Sequence, residues 1–135
     1  MNYSYPELGY LLPKFWENAG CVCQLPYYKN AIAELEKYDS SPSYYVFSDD
    51  IEWVKQNLSL QNACYIDWNK GNDSWQDMML MSYCRNHIIC NSTFSWWGAW
   101  LNPRKDKTVI VPSRWFMKEE MPYIYPKEWV KVSIN

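Results

Sequence analysis

The sequence predicts an α/β protein built on a parallel sheet, and three observations point there. Short β-prone apolar runs recur at Tyr44-Tyr45-Val46-Phe47, Ala63-Cys64-Tyr65-Ile66, Ile88-Ile89 and Thr108-Val109-Ile110-Val111. Stretches with helical apolar spacing lie between them. The run at Tyr44 is continuous and does not alternate, which is the pattern of a strand covered on both faces. Strands separated in this way need crossover connections, so right-handed βαβ units and a Rossmann-like half-domain follow.

Met1 to Gly20 carries Pro6, Pro13 and scattered aromatics without a sustained period, and reads as an irregular start. From Pro26, a residue suited to a first helical turn, Tyr28, Ala31, Ile32 and Leu35 share one face. After the strand at Tyr44, Ser48 caps a helix with Asp49, Asp50 and Glu52 in its first turn and Ile51, Val54 and Leu58 inward. The second strand, Ala63 to Ile66, leads into the polar loop Asp67 to Asp73. Ser74 opens the next helix, with Met78, Met81, Tyr83 and Cys84 as its apolar stripe.

Past Ile88-Ile89, the helix holding Phe94, Trp96, Trp97, Trp100 and Leu101 is apolar nearly all round and is expected to be buried, with Gly98 allowing close packing. Residues 103–107 form an exposed loop, Pro112 ends the last strand, and 116–135 is a proline- and aromatic-rich tail; Trp115 before it and Pro122, Pro126 and Trp129 within it are expected to pack back on the body.

A length of 135 residues fits a single domain, 1–135. The net charge of −2, the pI of about 5.4 and the lack of a Lys/Arg cluster exclude nucleic acid as an expected partner. Aromatics reach 19%, with 9 Trp and 12 Tyr, which implies a dense core or sugar-stacking surfaces. The sequence shows no membrane-length apolar run and no basic-then-apolar leader. Five cysteines, an odd number, fit free thiols in a reducing compartment, so the expected location is cytoplasmic.

Asn91-Ser92-Thr93-Phe94-Ser95 ends a strand and opens a helix. The first helical amides lack intrahelical acceptors and the dipole favours negative charge, so this is the shape of an anion site. An ordinary Ser/Thr cap is the alternative. In a parallel sheet, Ser48-Asp49-Asp50, the Asp67 loop and Asn91-Ser92-Thr93 all emerge at the carboxyl ends of strands, where ligands bind. Asp77 either closes a capping box with Ser74 or offers a paired acceptor to a guanine edge.

Asp49 and Asp50 suit dipole compensation, with magnesium as the rarer reading. Cys84, His87 and Cys90, with Cys21 or Cys23, invite zinc, but side chains spread from helix to strand point in different directions. His87 suits a hydrogen-bonded core role better than that of a base.

Cys23 to Ile32, Val46 to Val54, Asp77 to Cys84 and above all Ile88 to Asn102 resemble, in order and spacing, the α-1,2-fucosyltransferases of bacteria and animals. The likeness continues through Pro112 and Trp115. It implies a GT-B architecture whose carboxyl-terminal Rossmann-like half binds GDP-β-L-fucose. Asp77 then matches the acid that reads guanine. Asn91 heads the turn whose Ser92, Thr93, Phe94 and Ser95 hold the diphosphate. Ser48, Asp49 and Asp50 match a second polar strand end. No metal or other cofactor is implied.

The implied reaction transfers fucose to a galactose 2-hydroxyl with inversion. The implied partners are GDP-fucose, a galactose-containing acceptor glycan, and an amino-terminal domain or partner chain, with peripheral membrane contact left open. That domain would supply the family's His-x-Arg-Arg-x-Asp motif, which is absent here. The catalytic residues are therefore unassigned, and a fragment, a split gene product or a degenerate relative with little activity alone is expected. The alternative function is a non-catalytic carbohydrate-binding or scaffold protein.

Overall fold

A computed structural model describes residues 23–48, 51–66, 71–73, 75–115 and 124–135, together with the backbone of 8–10. The strands are β1 (Leu8–Tyr10), β2 (Tyr44–Phe47), β3 (Ala63–Ile66), β4 (His87–Ile88), β5 (Val109–Pro112) and β6 (Val130–Val132). The helices are α1 (Leu25–Tyr38), α2 (Ile51–Asn57), α3 (Trp75–Ser82) and α4 (Thr93–Trp100), with a 3-10 turn at Gly71–Asp73. All strand pairs are parallel, and the strands lie in the order β3-β2-β1-β4-β5-β6. That is the order of a doubly wound, Rossmann-like sheet.

Alternation along the strands divides the core between the two faces. Val46, Ile88, Cys90, Ile110 and Val132 pack with Tyr28, Leu35 and Val54 of α1 and α2. On the other face Phe47 and Ile66 meet Met81 and Cys84, while Ile89, Val109 and Val111 meet Ala99. The result is three layers, helix on sheet on helix. α1 keeps Pro26 in its first turn and buries Tyr27, Tyr28, Ala31 and Leu35 completely. The Tyr27 hydroxyl donates to the carbonyl oxygens of Ile89 and Ile110, tying this helix to two strands. Ile51, Val54 and Leu58 are buried as expected.

α3 and α4 approach closely because Gly98 has no side chain. A Cβ there would stand 3.0 Å from Met81 Cε and 3.1 Å from Met81 Cβ.

The structure differs from the sequence expectation in four places. Leu8–Tyr10, expected to be irregular, is a strand between β2 and β4. Three residues around a glycine are too few to show a period, and pairing from both neighbours holds them. The tail contributes β6 as well as the buried Trp115, Tyr125 and Trp129. Six strands therefore replace four. Pro112 is the last residue of β5, as expected, and just beyond it the Ser113 N–H donates to Val132 O.

α4 is not buried all round, since Trp97, Trp100 and Leu101 are about half exposed, at 47%, 50% and 53%. An eight-residue helix resting on the sheet and α3 has a third side that nothing described here covers. Tyr83, expected in the α3 stripe, is also exposed. No helix among the described residues is long and apolar enough to cross a membrane.

Candidate functional site

Strand order reverses between β1 and β4, the position where doubly wound sheets open a crevice at their carboxyl edge. The chain leaves β4 through buried Ile89 and Cys90 and reaches the turn at that edge. The Ser92 N–H donates to Cys90 O at 2.9 Å, Ser92 is extended (φ −131°, ψ 130°), and Trp96 N–H makes the first helical bond to Ser92 O at 3.0 Å. Ser92 occupies the cap position, yet its side chain makes no capping hydrogen bond. The ordinary-cap reading needed that bond. Ser92 thus does not supply the side-chain acceptor that a cap residue usually offers to the first amides of its helix.

The turn is fixed from behind. Ser95 is fully buried, and its hydroxyl donates to Ser92 O at 3.0 Å and lies 3.5 Å from Cys90 Sγ. The Asn91 side-chain amide donates to Trp115 O at 3.1 Å, and the Trp96 indole N–H donates to Ile124 O at 3.0 Å. Phe94 packs with Phe47, Ile66 and Met81. Thr93 is exposed, and Asn91 and Ser92 are half-buried. Within this run Thr93, Ser92 and Asn91 are the residues with solvent-accessible surface at the turn, while Ser95 shapes the backbone from inside.

Other predicted site residues divide by position. Ser48 directly follows β2 and is half-buried at the same sheet edge. Asp77 sits half-buried in the first turn of α3, which starts on the carboxyl side of β3. Asp49, Asp50, Asp67 and Ser74 lie outside the described residues, and with them the capping-box and magnesium readings.

The zinc spacing places its residues on opposite faces. Cys90 packs with α1, whereas Cys84 packs with Phe47 and Met81. Among the described residues no group of three His, Cys, Asp or Glu could hold a metal ion. His87 begins β4, at the amino edge away from the turn. Its Nε2 accepts from the Asn102 amide at 2.9 Å, which puts the proton on Nδ1, an atom without a partner among the described residues. Burial, helped by the charge of Lys107, lowers its pKa from 6.5 to about 3.

Sequence reasoning gave no role to Asn102, which is 2% exposed and also donates to Cys84 O, joining the ends of α3 and α4. Nor did it find Lys107, whose ammonium donates to Ala99 O at 2.9 Å and Asn102 O at 2.7 Å, satisfying the carbonyl end of α4. A lone amide at the end of an apolar helix was the available signal for Asn102.

The sequence profile described as glycosyl transferase family 11 matches residues 11–133. The chain belongs to glycosyl transferase family 11. Among its relatives, the O-antigen biosynthesis glycosyltransferase WbnK of Escherichia coli is 38% identical over 112 residues, covering 82% of this chain and 37% of the relative. An alpha-1,2-colitosyltransferase of Escherichia coli is 38% identical over 115 residues, covering 82% of this chain and 40% of the relative. Galactoside alpha-(1,2)-fucosyltransferase 1 of Homo sapiens is 26% identical over 93 residues, covering 67% of this chain and 25% of the relative. This family 11 chain therefore spans no more than about 40% of the length of these relatives. No solved structure matches it.

Proposed function

We propose that this chain is the donor-binding half of a galactoside α-1,2-fucosyltransferase. In this reading the half belongs to a GT-B enzyme working in the cytoplasm, and it holds GDP-fucose for inverting transfer to a galactose 2-hydroxyl. Family membership and the fucosyl and colitosyl relatives support the reaction class. The observation that carries donor binding is the turn at Asn91–Ser95. It stands at the carboxyl end of β4 beside the point of strand reversal, and the Ser92 hydroxyl does not cap it.

Departure of GDP builds negative charge on the diphosphate. Amides of Thr93, Phe94 and Ser95, fixed by the Ser95, Asn91 and Trp96 hydrogen bonds, meet that charge with little reorganisation. Asp77 accepts the two N–H donors of guanine, and Ser48 lines the same edge. An arginine donor of the His-x-Arg-Arg-x-Asp kind comes from outside these 135 residues, as does the acceptor glycan site, so the chain alone binds donor and transfers little.

Calorimetric titration with GDP and UDP tests the proposal. GDP is expected to bind at least roughly tenfold more tightly, since a guanine-edge pair left unmade costs more than 1 kcal/mol. Equal affinity, or binding of neither, removes the proposal. Stabilisation by free fucose or galactose without GDP binding replaces it with the carbohydrate-binding scaffold.

A further inference from the structure

Six of the seven large apolar side chains exposed among the described residues lie on α3, on α4 or at their ends: Trp75, Met79, Tyr83, Trp97, Trp100 and Leu101. The ends are contiguous, because Asn102 at the end of α4 donates to Cys84 O at the end of α3, and Gly98 lets the helices touch. Cationic residues rim the same end. Arg85 is exposed two residues after Tyr83, and Trp100 shares a cleft of about 350 Å³ with Arg104, Lys105 and Lys107. Four basic residues (Arg85, Arg104, Lys105 and Lys107) face two acids (Asp106 and Glu128) on this rim, an excess of two positive charges in a chain of net −2. Arg104 lies 3.4 Å from Asp106, but that pair is exposed and weak.

Half-exposed tryptophans beside basic side chains are the pattern of a surface that enters the headgroup layer of an anionic bilayer, where the rings lie at the interface and the cations meet lipid phosphate. We propose that the face formed by Tyr83, Trp97, Trp100 and Leu101, with Arg85, Arg104 and Lys105, docks the protein peripherally on anionic phospholipid. The charge excess favours lipid phosphate over a neutral apolar partner. Tyr83, Trp100 and Leu101 stand at the ends of α3 and α4 away from the turn at Ser92, so docking through them does not use the crevice at the carboxyl edge. It is independent of what that crevice binds.

The test is sedimentation of the purified chain with vesicles of phosphatidylcholine alone and of equal parts phosphatidylcholine and phosphatidylglycerol. The chain is expected to pellet with the second and not the first, and less as salt rises. Replacing two exposed cations (Arg104→Gln with Lys105→Gln) is expected to weaken binding roughly tenfold or more while melting stays unchanged. Equal pelleting with both vesicles, no pelleting, or a double variant that binds like the parent overturns the proposal. So does a chain that elutes as a dimer and is made monomeric by Trp97→Gln, which assigns the face to a second copy. GDP titration on the same preparation reads the crevice separately.

Discussion

Acidification is predicted to unfold this protein through His87. The side chain is buried and its pKa falls from 6.5 to about 3. In the unfolded chain it returns to about 6.5, so between these values the unfolded state binds a proton that the native state refuses. Stability is therefore fully present above about pH 6.5 and is lost as pH falls toward 3. Integrating one proton from pH 7 to pH 5 gives a loss of about 2 kcal/mol.

His87 is the only histidine, and carboxylates titrate mainly below that window, so the slope belongs to one residue. Urea unfolding at pH 7, 6 and 5 reads the loss as a midpoint lower by about 1 M at pH 5, for a slope near 2 kcal/mol per molar. His87→Leu should lower stability at pH 7, because the Asn102 donor loses its acceptor, and should flatten the dependence. A wild-type midpoint unchanged between pH 7 and 5, or a variant with the same slope as wild type, refutes the reasoning.

Gly98→Ala is expected to destabilise by about 1–2 kcal/mol in thermal melts, since the gain in helix propensity is outweighed by overpacking against Met81, whose Cβ cannot swing away. Asn102→Ala should cost about 2–4 kcal/mol in denaturant unfolding, because it removes bonds to Cys84 O, His87 Nε2 and Arg104 N and leaves buried groups unpaired. Asp77→Asn should weaken GDP binding roughly tenfold with stability changed by less than about 0.5 kcal/mol, measured by calorimetry beside melting. Equal losses of binding and stability would identify Asp77 as a helix-capping residue instead.

The parts of the fold legible in the sequence were those with a long enough pattern. The apolar runs at Tyr44, Ala63 and Val109, and the face of α1, declare themselves within four to fourteen residues. β1 and β6 are three residues each and owe their form to neighbours that are distant in sequence. Trp97 and Trp100 misled because hydrophobicity predicts a wish for cover and not its presence. At the site, the Asn91–Ser95 turn was visible as polar residues between a strand and a helix. Its supports were not, because Asn91 reaches Trp115 and Trp96 reaches Ile124 across 24 and 28 residues. The inward role of Ser95 depends on which way a hydroxyl points, which its type does not reveal.

Amide NMR of the labelled chain during GDP titration reads whether the amides opening α4 hold the diphosphate of the donor. Saturable shifts are expected at Thr93, Phe94 and Ser95, with His87 and Lys107 at the opposite edge unmoved. GDP binding that leaves those three amides in place, or no GDP binding at all, would contradict diphosphate binding there.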